Sequence, residues 1–381
     1  MSEPVAFGIV GGGWRAGFFA RLAALLPERL TLVGAAVRRP ESAAELTKRW
    51  GVPTYLSPAE LVARQRPELV LSSVPWPVNP EVIGTLVEAG VAVLAETPPA
   101  PDEAGLRALW TRVGGSRRVQ VAEQYLLMPG HAARREIVRR GLIGTPTSVQ
   151  VSSTHGYHAV SMIRGLLGAG SGVVAGASGD SGPGFGFGPV RVDARRFTAP
   201  LLDPLTRDGW TGAEQPQDAT TTLATLDFGG GASGLYDFTD NQWHNRLRQR
   251  RIVVRGSLGE ITDDTVVRWG GPATVLRSAI VRSQLGHDLN LDGFDTEHLT
   301  FEGQVVYRNP LLGLRLMDEE IAIATLLGAT AAWVRDEGPE PYPLAEGCQD
   351  HLISLAIDRA ADSGAPVVTN VEPWANRRAQ P

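Results

Sequence analysis

Residues 11 to 16 read Gly-Gly-Gly-Trp-Arg-Ala and satisfy the spacing G-x-G-x-x-(G/A). In that pattern Gly11 permits a tight turn, Gly13 lets a ligand approach the backbone, and Ala16 fills the third, small position. The chemistry it suits is pyrophosphate binding, because a helix starting here presents unpaired N–H groups and a partial positive charge. Trp14 and Arg15 lie inside the same turn. Without a strand before and a helix after it, the pattern is only a tight turn. A second group is Val37-Arg38-Arg39, at the place where an NAD site ordinarily carries Asp or Glu for the ribose hydroxyls. A guanidinium there pairs with a 2′-phosphate and stacks on adenine, which favours NADP over NAD. The alternative is a pair of solvated surface arginines. A third group is His155 and His158 in THGYHAVS, which face one way on a helical turn but have no third ligand at metal-site spacing. Tyr125 and Tyr157 add two phenols able to donate a proton, to bind hydroxyls or simply to pack. Among 36 lysines and arginines only Lys48 is a lysine, so a catalytic ammonium has one candidate. Cys348 is the single cysteine; it excludes an internal disulfide and reads as a buried structural thiol in a helix.

The elements that position these residues are legible from periodicity. Val5 to Val10 is a short apolar run before the glycines, and Phe18 to Leu26 has helical apolar spacing after them. A second strand spans 30–37, and a helix over 41–50 ends at Gly51, a residue suited to the left-handed position past a helix. Ser57-Pro58 and Asn79-Pro80 are expected to cap two further helices, with strands at 69–74, 91–95 and 118–122. Strands alternating with helices predict a doubly wound parallel sheet, a Rossmann domain over 1–125. Beyond it the texture changes to a helix at 130–140 and strands at 147–153, 220–227, 232–238, 251–255 and 260–269. Two late helices at 318–335 and 344–363 follow. This predicts an α+β domain over 126–381 with an open, mostly antiparallel sheet, and residues 168–188 read as a glycine- and serine-rich loop.

With 381 residues the chain exceeds the roughly 250 to 300 at which single cores stop growing. A net charge of -5 lacks the basic footprint of a nucleic-acid binder, and the arginines of NRLRQRR at 245–251 alternate as on a strand edge. No apolar run approaches the roughly 18 to 20 residues of a membrane span. The start Met1-Ser2-Glu3-Pro4 has no basic and apolar export signal, so the cytoplasm is the expected location.

Several segments together resemble the Gfo/Idh/MocA family, which includes glucose-fructose oxidoreductase and inositol dehydrogenase. They are GIVGGGWRAGFF at 8–19, LVLSSVP at 69–75, VEAGVAVLAETPPA at 87–100, VAEQY at 121–125, RRGLIGTPTSV at 139–149 and RIVVRGSLGEI at 251–261. The resemblance implies a Rossmann domain and a second domain whose open sheet forms the interface of a homodimer or homotetramer, with a small polar substrate between the domains. Many members carry Glu-Lys-Pro after the fifth strand, where this chain has Glu96-Thr97-Pro98. A family Asp four residues before His is here Thr154 before His158, and a family histidine after the fourth strand is Asn79.

Candidate cofactor contacts then extend from the glycine turn to Ser73, Pro75 and Asn79 after the fourth strand. Glu96, Thr97 and Gln124 lie at the carboxyl edge, where ligands of open α/β sheets collect. His158 is the candidate acid or base, since imidazole titrates near neutral pH and moves the proton that accompanies hydride transfer. Tyr125 and Tyr157 stand beside it, and a structural histidine is the alternative. Trp243 and His244 line either the substrate cleft or a subunit interface. The function this implies is NADP- or NAD-dependent hydride transfer to or from a sugar, polyol or related compound. Reduction of a C=N bond, as in thiazolinyl imine reductases, and nucleotide binding without turnover are the competing readings.

Overall fold

The computed structural model describes residues 3–169, 185–286 and 294–375. Its first part contains β1 (Val5–Val10), α1 (Trp14–Ala24), β2 (Leu30–Ala36), α2 (Pro40–Trp50), β3 (Thr54–Tyr55) and α3 (Pro58–Gln65). Then come β4 (Leu69–Ser72), α4 (Asn79–Glu88), β5 (Ala92–Ala95), α5 (Glu103–Val113) and β6 (Val119–Val121). The six strands form one parallel sheet in the order β3-β2-β1-β4-β5-β6. Every residue of β4 and β5 is buried, as central strands covered on both faces require. Gly51 ends α2 in the left-handed conformation, and the Ser57 hydroxyl accepts the Glu60 N–H at the start of α3. Asn79 does not cap α4. Its amide turns inward, accepts from the Ser72 hydroxyl at 2.6 Å and donates to the Glu96 carbonyl at 3.2 Å. Burial of that amide demands partners, and the ends of β4 and β5 supply them.

The C-terminal domain opens with α6 (Pro129–Arg139), β7 (Pro146–Ser152) and α7 (Gly156–Ala169). A run of strands follows: β8 (Arg191–Leu201), β9 (Leu205–Thr206), β10 (Gly209–Trp210), β11 (Gln217–Asp227), β12 (Ser233–Thr239) and β13 (Arg251–Gly256). It continues through β14 (Gly259–Thr262), β15 (Thr265–Gly271), β16 (Thr274–Leu285), β17 (Asp295–Phe301) and β18 (Gln304–Arg308). The last elements are α8 (Asp318–Val334), α9 (Leu344–Ser363) and β19 (Val367–Val368). Eleven strands form a mostly antiparallel sheet, with β9 and β10 a separate hairpin. The run 260–269 is not one strand. It folds back at Asp263, whose φ is 52° and whose carboxylate accepts the Ile252 N–H at 2.9 Å, so that Thr262 opposes Thr265. Of the arginine cluster only Arg251 lies on a strand; 246–250 belong to the preceding turn. Most of the stretch read as a glycine-rich loop lies outside the described residues. Among those described, no helix is long and apolar enough to cross a membrane.

The last helices return to the first domain. Ile321, Leu326 and Leu327 of α8 join Phe19 and Leu22 of α1 in one buried cluster, and α9 contributes Cys348 and Leu352 to another with Val121 and Tyr157. Helix α7 is held to α9 by an ion network. The Arg164 side chain, 3% exposed, donates to Asp350 Oδ1 at 2.5 Å and Glu346 Oε2 at 2.8 Å, and the Tyr342 hydroxyl donates to the other Asp350 oxygen. Removing the guanidinium strands a buried carboxylate, so Arg164→Met is expected to lower unfolding free energy by about 3–5 kcal/mol. Denaturant titration measures it, with Arg164→Met/Asp350→Leu recovering much of the loss. An unchanged midpoint in the single variant would show that the network does not hold the two helices together.

Candidate active site

The glycine turn joins β1 to α1 under two different constraints. Gly11 has φ +121°, and a Cβ there would lie 2.0 Å from the Ser73 carbonyl oxygen, so only glycine fits between the ends of β1 and β4. Gly13 has an ordinary φ of -74°, and a Cβ built on it would meet nothing within 4 Å. The protein itself gives no reason for the bare backbone at Gly13. A diphosphate at the start of α1 would, since it must approach these N–H groups closely. No side chain caps α1 and no acid occupies its first turn.

Arg15 faces away from open solvent. Its guanidinium donates to Glu96 Oε1 at 2.9 Å and to Glu319 Oε1 at 3.0 Å, and Gln124 Nε2 reaches the same Glu319 oxygen at 3.3 Å. Thus Arg15, Glu96 and Gln124 are brought together, but through Glu319 in the first turn of α8, a residue that sequence reasoning did not single out. Arg38 and Arg39 are exposed past β2, with no ion pair among the described residues. Trp14 is 56% exposed, Pro75 is exposed, and Ser73 and Thr97 are half-buried along the same carboxyl edge. Asn79 lies beneath that edge, committed to Ser72 and Glu96.

His158 sits in the first turn of α7. Its Nδ1 is 2.6 Å from Glu123 Oε2, and the Glu123 side chain is 1% exposed. Because an ionised carboxylate only accepts, Nδ1 carries the hydrogen and Nε2 is left as the nitrogen available to a substrate. The other Glu123 oxygen accepts the Tyr125 N–H at 3.0 Å. The Tyr125 ring stacks on His158 at 4.5 Å between centroids, and Thr154 Oγ1 donates to the Tyr125 hydroxyl at 2.9 Å. That bond occupies the Tyr125 oxygen as an acceptor and leaves its own hydrogen free. Burial pushes the phenol up to about 12, so Tyr125 stays protonated through the neutral range. The His155 ring contacts His158 edge-on at 4.9 Å and packs 5.3 Å from Trp243. Burial, with the nearby His158 adding to it, pushes His155 down to about 4. Tyr157 lies buried against α9, its unpartnered hydroxyl beside Gly347, and burial raises its phenol well above the usual value.

Three consecutive residues unite the two halves of the site: Glu123 holds His158, Gln124 joins the Arg15 network, and Tyr125 stacks on the imidazole. Sequence reasoning singled out the second and third but not Glu123. It stands 35 positions before His158, and no local spacing links the two.

Residues 5–122 match the model of an oxidoreductase family with an NAD-binding Rossmann fold, GFO_IDH_MocA. That segment is similar to the Gfo/Idh/MocA family. Its match covers the six-stranded sheet and ends one residue before Glu123. No curated protein matches the chain. Among solved structures, an oxidoreductase from Agrobacterium radiobacter in complex with NAD+, L-tartaric acid and magnesium is similar over 96% of this chain and 98% of its own. Its TM-score is 0.68 and its identity 13%. A myo-inositol dehydrogenase from Corynebacterium glutamicum shares 18% identity, with a TM-score of 0.64 over 96% and 99% of the two chains. A levoglucosan dehydrogenase in complex with NADH and levoglucosan also shares 18%, at 0.66 over 96% and 100%. At these identities the likeness is one of fold, and it runs through the C-terminal sheet.

Proposed function

We propose that the protein is an NAD(P)-dependent oxidoreductase that moves a hydride to or from a carbinol or carbonyl of a sugar, polyol or similar polar compound. The observation that carries this reading is the buried Glu123–His158 pair, set by consecutive residues against the Arg15 network of the nucleotide turn. Gly11, Gly13 and the start of α1 would hold the diphosphate, with Glu96, Thr97 and Gln124 along the edge toward the nicotinamide. The bound dinucleotide supplies the hydride acceptor or donor. In the oxidation direction His158 Nε2 takes the substrate hydroxyl proton while Glu123 steadies the resulting imidazolium, and in reduction it returns that proton. Tyr125 donates its free hydroxyl hydrogen to the reacting oxygen. Tyr157, turned toward α9, backs the imidazole.

The family Lys and Asp positions hold Thr97 and Thr154, and their duties pass to this set. Thr154 orients Tyr125 in place of an acid that would touch the histidine. Structures of similar fold bind levoglucosan or are named for myo-inositol, which supports a polyhydroxylated substrate. Residue 125 is our proposed boundary of the Rossmann unit in chain order, with α8 and α9 returning to it. Exposed Phe197, Trp269, Val275 and Val281 on the large sheet support a homodimer or homotetramer built on that face. Turnover is tested by following reduced nicotinamide with NADP or NAD and a panel of polyols and sugars. Absence of turnover across the panel in both directions would overturn the reading.

Exposed Arg38 and Arg39, standing where a ribose-binding acid is absent, favour NADP. Arg38→Ala is expected to weaken NADP by about tenfold, the loss of one charge-assisted hydrogen bond, and to leave NAD within about twofold. Calorimetric titration with each dinucleotide checks this. An equal loss for both, or tighter NAD binding by the unmutated protein, would defeat the NADP preference.

A further inference from the structure

The β9–β10 hairpin of the C-terminal domain reaches the glycine turn of the first. The Arg207 guanidinium carbon lies 4.8 Å from the ring centroid of Trp14, the first residue of α1. Arg207 is exposed and has no ion pair or hydrogen bond among the described residues, even with Asp208 next to it. The other arginine at this turn, Arg15, is already engaged by Glu96 and Glu319. Two carboxylates therefore stand near the start of α1 against one neutralising guanidinium, and a dianionic diphosphate seated there draws no free charge from Arg15. Arg38 and Arg39 stand past β2, toward the adenosine end. Arg207 is an uncommitted cation among the described residues near this turn, parked on an aromatic face that holds it without consuming its hydrogen-bond donors.

We propose that Arg207 binds the diphosphate of the dinucleotide from the C-terminal domain, and that the 203–211 hairpin is a clasp linking cofactor and substrate cleft. This rests on the nucleotide site proposed above. The hairpin has a rigid base. Asn241 Nδ2 donates to Asp203 Oδ2 at 2.6 Å and to the Leu205 carbonyl at 3.0 Å, and Asn245 Nδ2 donates to the Leu202 carbonyl at 3.0 Å. Those two asparagines flank Trp243, which packs on His155 beside His158. The segment DNQWHN thus has a role that its sequence leaves open: one face supports the histidine wall, and the other carries the hairpin to the nucleotide.

Calorimetric titration of the full chain tests the proposal with four probes: NADP, ADP-ribose, adenosine 2′,5′-bisphosphate and UDP. Arg207→Ala is expected to weaken NADP and ADP-ribose by about tenfold, with Arg207→Lys within about threefold of the unmutated protein. Adenosine 2′,5′-bisphosphate, which has no diphosphate, should be unchanged. Arg207 makes no hydrogen bond or ion pair among the described residues, and unchanged melting temperatures check that the variants are intact. If the unmutated protein binds NADP and ADP-ribose but Arg207→Ala binds them equally well, the clasp is overturned while the nucleotide site stands. Weakening confined to UDP overturns it too, since Arg207 would then serve a nucleotide-linked substrate. If the unmutated protein binds no dinucleotide, the nucleotide reading itself fails.

Discussion

His158→Ala is expected to lower kcat by about 10²- to 10⁴-fold, the usual contribution of one acid–base group, with dinucleotide affinity nearly unchanged. The proton must be handled by a group with a free, suitably placed atom. Thr97 and Thr154 do not ionise near neutral pH. Tyr125 is pushed up to about 12 and His155 down to about 4, so neither contributes a limb to a pH–rate profile in the neutral range. A neutral-range limb that disappears in His158→Ala assigns the proton to this residue. Glu123→Gln is the companion variant. It keeps the shape but loses the anion that fixes the Nδ1–H tautomer, and a loss of about 10- to 100-fold in kcat is expected. Glu123 acts on the proton through the imidazole, and the carbonyl of glutamine can still accept the Tyr125 N–H, so the double variant should be no slower than His158→Ala alone. A rate within a few-fold of normal for His158→Ala would move the role to Tyr125. Additive losses in the double variant would give Glu123 a separate structural duty.

Gly13→Val is expected to weaken both NADP and NAD by about 100-fold or more while the fold survives. The space around a Cβ at Gly13 is empty and the backbone is in a region open to any residue, so the protein alone tolerates the side chain. The ligand should not, because the valine methyls would stand where the proposed site brings the diphosphate to the start of α1. Gly11→Ala makes the contrast. There φ is +121° and the new methyl is driven against the Ser73 carbonyl, so the melting temperature should fall before any ligand is added. Calorimetry and thermal unfolding on the two variants separate the effects. Ordinary dinucleotide affinity in Gly13→Val would place the diphosphate elsewhere and remove the basis for the nucleotide site.

The parts of this protein that local chain physics determines were legible in its residues. Gly11 and Gly51 mark backbone conformations that other side chains avoid, Ser57-Pro58 starts a helix through its own hydroxyl, and the short apolar runs at 69–71 and 92–95 read as buried strands. Each of these signals lies within a few positions of the structure it produces. That the six-stranded sheet is parallel followed from the alternation of such elements, whereas its order was decided by the fold. The C-terminal sheet was harder to read, because a strand such as β8 leaves most of its outer half exposed and shows little alternation. Asp263, by contrast, turns the chain inside a run whose alternation continues past it.

The site belongs to the second category. Which partner an ionised side chain takes depends on which surfaces the whole fold brings within about 3 Å, and no spacing rule encodes that. Arg15 was legible as part of a pyrophosphate turn, yet only the return of α8, 304 positions later, pairs it with Glu319 and turns it into a brace. Asn79 was legible as a helix start, yet the ends of β4 and β5 claimed its amide. His158 was legible as an imidazole near a familiar spacing. That its proton-bearing nitrogen faces a buried carboxylate was decided only when β6 and α7 met, since it is the exclusion of water around Glu123 that gives the pair its strength.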